Sequence, residues 1–289
     1  MTAAHLHVES LVVRFGDRTP LDGIDLLTQG GVLALLGANG AGKTTLLRCI
    51  ATVMRPTSGM VRIDGLDPMR ESERIEVRRR LGYQPQDLAA SSSARVFDAL
   101  DYLAVLKEHS DDRRRRSLVA TALDEVGLWD RRGDRVGDLS GGMRQRLGLA
   151  QAIMGWPTLL LLDEPGSGLD PEERQRLRTI VAARRTVATT IVSTHLTDDA
   201  ADADLVAVLH DRRLIFVGSP ARLAAEAEGR TWTQVSPPVP STVRASWLLP
   251  DGRHRCLGTP PSGATIVPPR LEDGYLLLTD PARSRQHMS

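Results

Sequence analysis

The spacing of apolar residues divides the chain into predicted strands and helices. Residues 6–13 alternate between apolar and polar side chains, and residues 32–36 form a short apolar run. Both patterns are typical of β-strands. Residues 44–54 carry apolar side chains at helical spacing and end before Pro56, where a helix cannot continue. The order of strand, glycine-rich loop and helix predicts the start of an α/β domain.

The middle of the chain has a mostly helical pattern. Amphipathic helices are predicted over residues 96–106, 116–126 and 144–154. We therefore expect an inserted α-helical subdomain over about residues 87–157.

Apolar strands return after this helical region. Residues 159–162 are continuously apolar, and residues 190–193 are centred on Ile191 and Val192; we interpret both as buried parallel strands, separated by the helical pattern of residues 172–184. This pattern restores an α/β core. The remaining predicted elements are a hairpin over residues 206–209 and 213–217 and a helix over residues 220–228.

The last fifth of the chain differs in composition. Prolines cluster there between short alternating stretches, as in strands joined by turns. Trp232, Trp247 and Ile266 supply apolar side chains that a disordered tail would lack. We predict a first domain over residues 1–228 and a small β-rich C-terminal appendage over residues 229–289.

Charge and cysteine content exclude several classes of function. The chain has 37 Lys and Arg against 36 Asp and Glu, so its net charge gives no reason to bind nucleic acid or an anionic membrane. Cys49 and Cys256 are too few and too far apart to indicate a disulfide framework or a metal cluster, and they favour a reducing, cytosolic setting. No run of about 18 apolar residues predicts a membrane span.

The sequence GANGAGKTT, residues 37–45, matches the phosphate-loop pattern. In such a loop the backbone N–H groups surround the phosphates, and Lys43 reaches the β and γ oxygens. Thr44 is predicted to hold Mg²⁺. Only one other lysine, Lys107, occurs in the chain, which makes the lysine of the loop more informative. The predicted ATP-binding residues of the loop are Gly37, Asn39, Gly40, Ala41, Gly42, Lys43, Thr44 and Thr45.

Two carboxylates follow an apolar strand in LLLLDEP, residues 159–165. A buried parallel strand would deliver them to the sheet edge that carries the phosphate loop. Asp163 is predicted to contact Mg²⁺ through water, and Glu164 to act as the general base that polarises the attacking water. A strand that ends in Asp-Glu is ordinary by itself, but beside a phosphate loop it predicts hydrolysis.

The sequence LSGGMRQR, residues 139–146, offers a second anion site. Ser140, Gly141 and Gly142 provide a hydroxyl and backbone N–H groups at a helix start. Together with the loop and the carboxylates, this stretch resembles the signature of the nucleotide-binding subunits of ATP-binding-cassette (ABC) transporters. The resemblance covers about residues 6–223. It implies a phosphate-loop NTPase core with a mixed sheet.

The same resemblance implies how the second anion site works. Two ATPase domains would pack head to tail, and each signature would close over the γ-phosphate held by the other copy. Ser140, Gly141, Gly142 and Gln145 would then act in trans.

The resemblance assigns roles to two further positions near the loop. Phe15 fits the aromatic residue that stacks on adenine. Gln86 fits the glutamine that leads into the helical subdomain and senses both Mg²⁺ and the transporter. Gln84 is a nearby alternative, and we prefer Gln86 because it directly follows Pro85.

Later positions match in order as well. Asp170 resembles the residue of the loop that communicates across the dimer. His195 fits the histidine that contacts the γ-phosphate and orients the attacking water. Gly166 departs from the family, which usually has threonine there, and we expect this difference to alter loop flexibility more than chemistry.

Residues 269–276 resemble the closing segment of ATPases from bacterial drug and antibiotic exporters. The implied function is ATP hydrolysis by a homodimer that serves integral membrane permease subunits at the cytoplasmic face of the membrane. Two alternatives stay open: an importer ATPase, and a soluble ABC ATPase acting on DNA or ribosomes. We interpret the arginines at 113–116 as a solvated helix face, so no nucleic-acid partner is expected.

Overall fold

The computed structural model describes residues 2–88, 90–239 and 242–280. Residues 281–289 of the predicted appendage lie outside the described residues. No helix in the described ranges is both long and apolar enough to cross a membrane.

The described chain contains strands from three sheets. The strands are β1 (His5–Phe15), β2 (Arg18–Gln29), β3 (Gly31–Leu36), β4 (Ser58–Ile63), β5 (Leu81–Gln84), β6 (Leu159–Asp163), β7 (Thr189–Thr194), β8 (Leu205–His210), β9 (Arg213–Gly218), β10 (Thr231–Gln234), β11 (Val243–Leu248), β12 (His254–Gly258) and β13 (Thr265–Ile266).

The helices surround these sheets. They are α1 (Lys43–Ile50), α2 (Glu71–Arg80), α3 (Val96–Leu106), α4 (Asp112–Glu125), α5 (Gly141–Ile153), α6 (Pro171–Ala182), α7 (Thr197–Ala200), α8 (Pro220–Ala225) and α9 (Leu271–Leu278).

A six-stranded mixed sheet forms the centre, in the order β5-β6-β7-β3-β8-β9. All neighbouring strands in it are parallel except the β8–β9 hairpin at one edge. A separate antiparallel sheet has the order β2-β1-β4. The mixed sheet of the predicted phosphate-loop fold is therefore present.

Apolar residues cover both faces of the central sheet. In β6, Leu159 and Leu161 belong to a core shared with the antiparallel sheet and α1, whereas Leu160 and Leu162 belong to a core shared with α3, α4, α5 and α6. Successive side chains of a strand point to opposite faces, so a run of leucines buries both. This explains why β6 is continuously apolar.

Three predicted helices lie in the helical region, and α3 covers the predicted residues 96–106.

Four elements before this region were not predicted: β2, β4, α2 and β5. α2 is mostly charged and buries only Val77, so its sequence has little of the helical repeat of apolar residues that predicts an amphipathic helix. β2 contains Pro20 and Gly23, and it pairs with β1 through register shifts that disturb the alternation.

The C-terminal region contains a four-stranded sheet in the order β11-β12-β10-β13. It also contains α9, a helix that the sequence did not predict. Gly274 lies where α9 crosses α8, and a Cβ atom there would come within 1.7 Å of the Leu223 carbonyl oxygen. Leu271 and Tyr275 pack against the core below β3 and β8. The region is therefore joined to the central domain by helix packing.

A buried ion pair holds α9 against the C-terminal sheet. Arg255 Nη2 lies 2.5 Å from Asp273 Oδ2, and the two side chains are 8% and 2% exposed. The same guanidinium donates to the Pro268 carbonyl, and Asp273 also accepts from the Arg270 backbone N–H. Removal of either partner would leave the other charge buried without its counter-charge.

We predict that Arg255→Ala lowers the free energy of unfolding by about 3–5 kcal/mol, because it leaves the Asp273 carboxylate buried alone. Arg253→Ala is the matched control, since Arg253 pairs with Asp251 and both are about half exposed. Its loss should stay below about 1 kcal/mol. Urea unfolding followed by circular dichroism measures both values. Equal losses in the two variants would contradict the prediction.

Candidate active site

The carboxyl ends of β3, β6 and β7 meet at one edge of the central sheet. The glycine-rich loop follows β3, Asp163 ends β6, and His195 follows β7. The parallel register pairs Leu36 with Thr194 and Asp163 with Ser193, so the three strands end at the same level. The structure thus brings together residues that lie far apart in the chain.

The loop folds around the side chain of Lys43, which is 4% exposed. Lys43 Nζ donates to the carbonyl oxygens of Gly37 at 2.7 Å and Ala38 at 3.1 Å. Gly42 precedes α1 with a φ of 110°, and a Cβ atom there would lie 2.7 Å from the Pro20 carbonyl oxygen. Only glycine suits this backbone angle and this close approach.

Glu164 lies between the two residues predicted to contact the γ-phosphate. Its Oε1 is 3.2 Å from Lys43 Nζ, and its Oε2 is 3.6 Å from His195 Nδ1. The Glu164 side chain is 13% exposed, and its backbone φ is 49°. A left-handed conformation is uncommon outside glycine and often marks a functional residue. Glu164 supplies the counter-charge for Lys43.

Asp163 is held by two hydroxyl groups. Its Oδ1 accepts hydrogen bonds from Ser193 Oγ at 2.7 Å and Thr44 Oγ1 at 3.2 Å. Its Oδ2 is buried and has no hydrogen-bond partner within the described chain. Burial raises the pKa of the Asp163 carboxyl, although both hydroxyls act in the opposite direction. A cation at this position would satisfy the free oxygen.

The donor set around Asp163 fits Mg²⁺. Thr44 and Asp163 present a hydroxyl and a carboxylate side by side, and Mg²⁺ prefers oxygen ligands. The described residues contain no cluster of three or more His, Cys, Asp or Glu that could enclose a metal ion. Mg²⁺ commonly takes one or two protein ligands together with substrate phosphates.

The two glutamines near β5 have different environments. Gln84 is buried in the strand, and its Nε2 donates to the backbone carbonyl of Gln145 at 3.1 Å. Gln86 lies in the bend after the strand and is exposed. Gln84 thus has a structural contact, which leaves Gln86 as the accessible candidate for the magnesium-sensing role.

The signature segment begins helix α5. Ser140 is the N-cap residue, and its Oγ accepts a hydrogen bond from the Met143 N–H at 3.2 Å. No heavy atom beyond the chain neighbours comes within 4 Å of the Cβ position at Gly141, whereas Gly142 faces the Glu173 carboxylate. The helix start is therefore open at Ser140 and Gly141.

Gln145 makes a contact within its own chain. Its Nε2 donates at 3.1 Å to the Glu164 carbonyl oxygen. The side chain is half-buried. Its action in trans stays a prediction.

The other predicted residues lie around the loop and at the start of α6. Phe15 ends β1 and is 52% exposed, which leaves the ring free for stacking. Asp170 caps α6, because its Oδ1 accepts from the Glu173 N–H at 2.8 Å. This capping bond occupies one carboxylate oxygen of the residue predicted to communicate across the dimer. Of the remaining loop residues, Asn39 and Gly40 are exposed, and Ala41 and Thr45 are half-buried.

The family of the chain follows from residues 22–167, which match the family model described as ABC transporter. This chain belongs to the ABC transporter family. It is 36% identical over 232 residues to the daunorubicin resistance ATP-binding protein DrrA3 of Streptomyces coeruleorubidus. The aligned residues cover 79% of this chain and 72% of DrrA3.

A second relative of this ABC ATPase is the probable multidrug ABC transporter ATP-binding protein YbhF of Escherichia coli K12. The two are 35% identical over 209 residues, which is 72% of this chain but only 36% of YbhF. This chain thus matches about a third of the length of that relative. A solved ATP-binding subunit of an ABC transporter has the same fold, with a TM-score of 0.69, 24% identity and coverage of 77% of this chain and 92% of that one.

Sequence reasoning missed Ser193 as a functional residue of the ABC ATPase. Its Oγ donates to Asp163 Oδ1 and accepts the Glu164 N–H at 2.8 Å, so one hydroxyl positions both acidic residues. The sequence does contain a signal for this role. A hydroxyl residue lies near the end of a strand that is predicted to run parallel to the strand of Asp163. Strand order and register were needed to pair the two.

We predict that Ser193→Ala lowers ATP turnover by about 10- to 100-fold, because it removes a hydrogen bond to a buried carboxylate. Thr190→Val is the matched control, since Thr190 lies on the same strand and its Oγ1 is buried without a partner in the described chain. Steady-state phosphate release measures both. Similar turnover in the two variants would contradict the role of Ser193.

Proposed function

We propose that this ABC ATPase hydrolyses ATP in a head-to-tail pair of copies and drives export through separate integral membrane permease subunits. The observation that carries the proposal is the open helix start at Ser140 and Gly141. A helix N-terminus with free N–H groups favours an anion. The chain already has a phosphate loop, and a second copy would bring its own loop to this helix start.

The proposed chemistry begins with an exchange of partners at Lys43. Incoming phosphates would take the place of Glu164 as the counter-charge for the ammonium group. The released Glu164 carboxylate then accepts a proton from the water that His195 positions. The oxygen of that water bonds to the γ-phosphorus as the bond between this phosphorus and the bridging oxygen of ADP breaks, which releases ADP and phosphate. Thr44 and Asp163 would hold Mg²⁺, which neutralises charge on the phosphates when bound.

Export is favoured by the names of the two relatives, one a daunorubicin resistance ATP-binding protein and the other a probable multidrug ABC transporter ATP-binding protein. Both relatives are named as ATP-binding proteins, so we infer that membrane permease subunits form the transport path and that the ATPase works at the cytoplasmic face of the membrane. Recovery of the native complex with a multispanning protein supports this assignment, whereas recovery with ribosomes or DNA would contradict it.

We predict that Glu164→Gln lowers ATP turnover by about 10²- to 10⁴-fold, because the amide cannot accept the proton. Nucleotide affinity should be unchanged or higher, since the variant also removes the negative partner of Lys43. Glu172→Gln, an exposed position in the first turn of α6, is the control and should keep full activity. Phosphate release and equilibrium ATP binding give the two values. Unimpaired turnover in Glu164→Gln would refute the general-base role.

The composite site predicts complementation between two inactive variants. Lys43→Ala destroys the loop, and Ser140→Arg places a bulky cation at the exposed signature. Each variant alone should be nearly inactive. A 1:1 mixture should regain turnover, because a mixed pair contains one intact loop facing one intact signature. An inactive mixture of variants that still associate would show that loop and signature act within one chain.

A further inference from the structure

A cavity of about 480 Å³ lies beside the active site, between α6 and the segment formed by β7 and α7. Its wall includes Glu164, Gly166 and His195, but no residue of the loop 37–45. ATP held by that loop would therefore not occupy the cavity. Its volume is within the range of sites for small organic molecules.

One wall of the cavity is apolar. Leu177 and Val181 project from α6, Val192 from β7, and Ala203 from the chain after α7. The first two are buried, and the other two are partly buried against the same core. A ligand in contact with this wall would need an apolar body.

Three arginines line the cavity, and their pairing differs. Arg178 Nη2 is 3.6 Å from Asp199 Oδ1, and Arg185 Nε is 3.3 Å from Asp204 Oδ2. Both therefore have a carboxylate partner. Asp199 also accepts a hydrogen bond from Thr194, so its charge is engaged on both sides.

Arg174 is the arginine that lacks such a partner. Its Nη2 donates to the Gly166 carbonyl at 3.3 Å, and its Nε is buried without a hydrogen-bond partner among the described residues. No described carboxylate lies within ion-pair distance of it. A planar guanidinium with free donors matches a carboxylate or sulfonate group.

Gly166 keeps this end of the cavity open. A Cβ atom at this position would lie 3.6 Å from Asp199 Oδ2 and 4.0 Å from Arg174 Nε. Both distances are ordinary contacts, so a larger side chain would fit without displacing the backbone. It would, however, occupy the space in front of the Arg174 guanidinium.

We propose that this cavity binds a small amphipathic anion, with its acid group on Arg174 and its apolar body against Leu177 and Val181. The unpaired guanidinium of Arg174 and the apolar wall are adjacent on α6, so the ligand must carry its acid group next to its apolar body. Asp202 lines another part of the cavity and disfavours an acid group there. The occupied site borders Glu164 and His195, so the ligand would couple to ATP turnover.

The test uses the full chain and 8-anilinonaphthalene-1-sulfonate, a fluorescent aromatic anion. We expect saturable binding with one site per chain. Arg174→Gln should weaken it by about tenfold, because a charge-assisted hydrogen bond is lost. Gly166→Thr should weaken it by filling the cavity. Arg176→Gln is the matched control, since this exposed arginine of the same helix does not line the cavity.

Two further arms separate this cavity from other sites. Binding should persist in Lys43→Ala, where the phosphate loop is disabled. The carboxylate 2-naphthoate should displace the probe, and the neutral 2-naphthalenemethanol should do so at least tenfold less well. Any one of four results would overturn the proposal. The first two are a lack of saturable probe binding and equally tight binding of the probe to Arg174→Gln and Arg176→Gln. The other two results are loss of probe binding in Lys43→Ala and equal displacement of the probe by the two naphthalene compounds.

Discussion

The geometry of the site in this ABC ATPase depends on the hydrogen bonds of the Asp163 carboxylate. This carboxylate is fully buried at the end of β6, where an ionised group is costly unless hydrogen bonds compensate it. Ser193 from β7 and Thr44 from α1 donate to the same oxygen. This junction ties two strands to the helix that begins in the phosphate loop. The other carboxylate oxygen has no hydrogen-bond partner among the described residues, which leaves it free to contact a cation.

The residue after Asp163 connects this junction to the rest of the molecule. The Glu164 side chain lies between Lys43 and His195, and its backbone carbonyl accepts from Gln145 on α5. Gln145 in turn accepts from Gln84 on β5. A continuous hydrogen-bonded path therefore joins β5, which precedes the exposed Gln86, to the signature helix and to the backbone of Glu164. Movement of α5 would shift Glu164 directly, because Gln145 contacts the backbone of Glu164.

The chain between β6 and α6 faces two different environments. One side forms the nucleotide site with the loop, and the other lines the cavity in front of Arg174. Glu164 and Gly166 are two residues apart, so a molecule in the cavity would contact the segment that carries the Glu164 carboxylate. Asp170 caps α6 at the far end of this segment.

The sequence by itself determined the phosphate loop, the two acidic residues and the signature, because each is a contiguous motif whose chemistry is local. It also determined β3 and β6, since strands buried on both faces are continuously apolar. Only the tertiary structure decided the roles of Ser193, Gln145 and Asp273. Their partners lie 30, 19 and 18 residues away, and strand register or helix packing selects them. The cavity likewise depends on the spacing between α6 and β7, which no local pattern encodes.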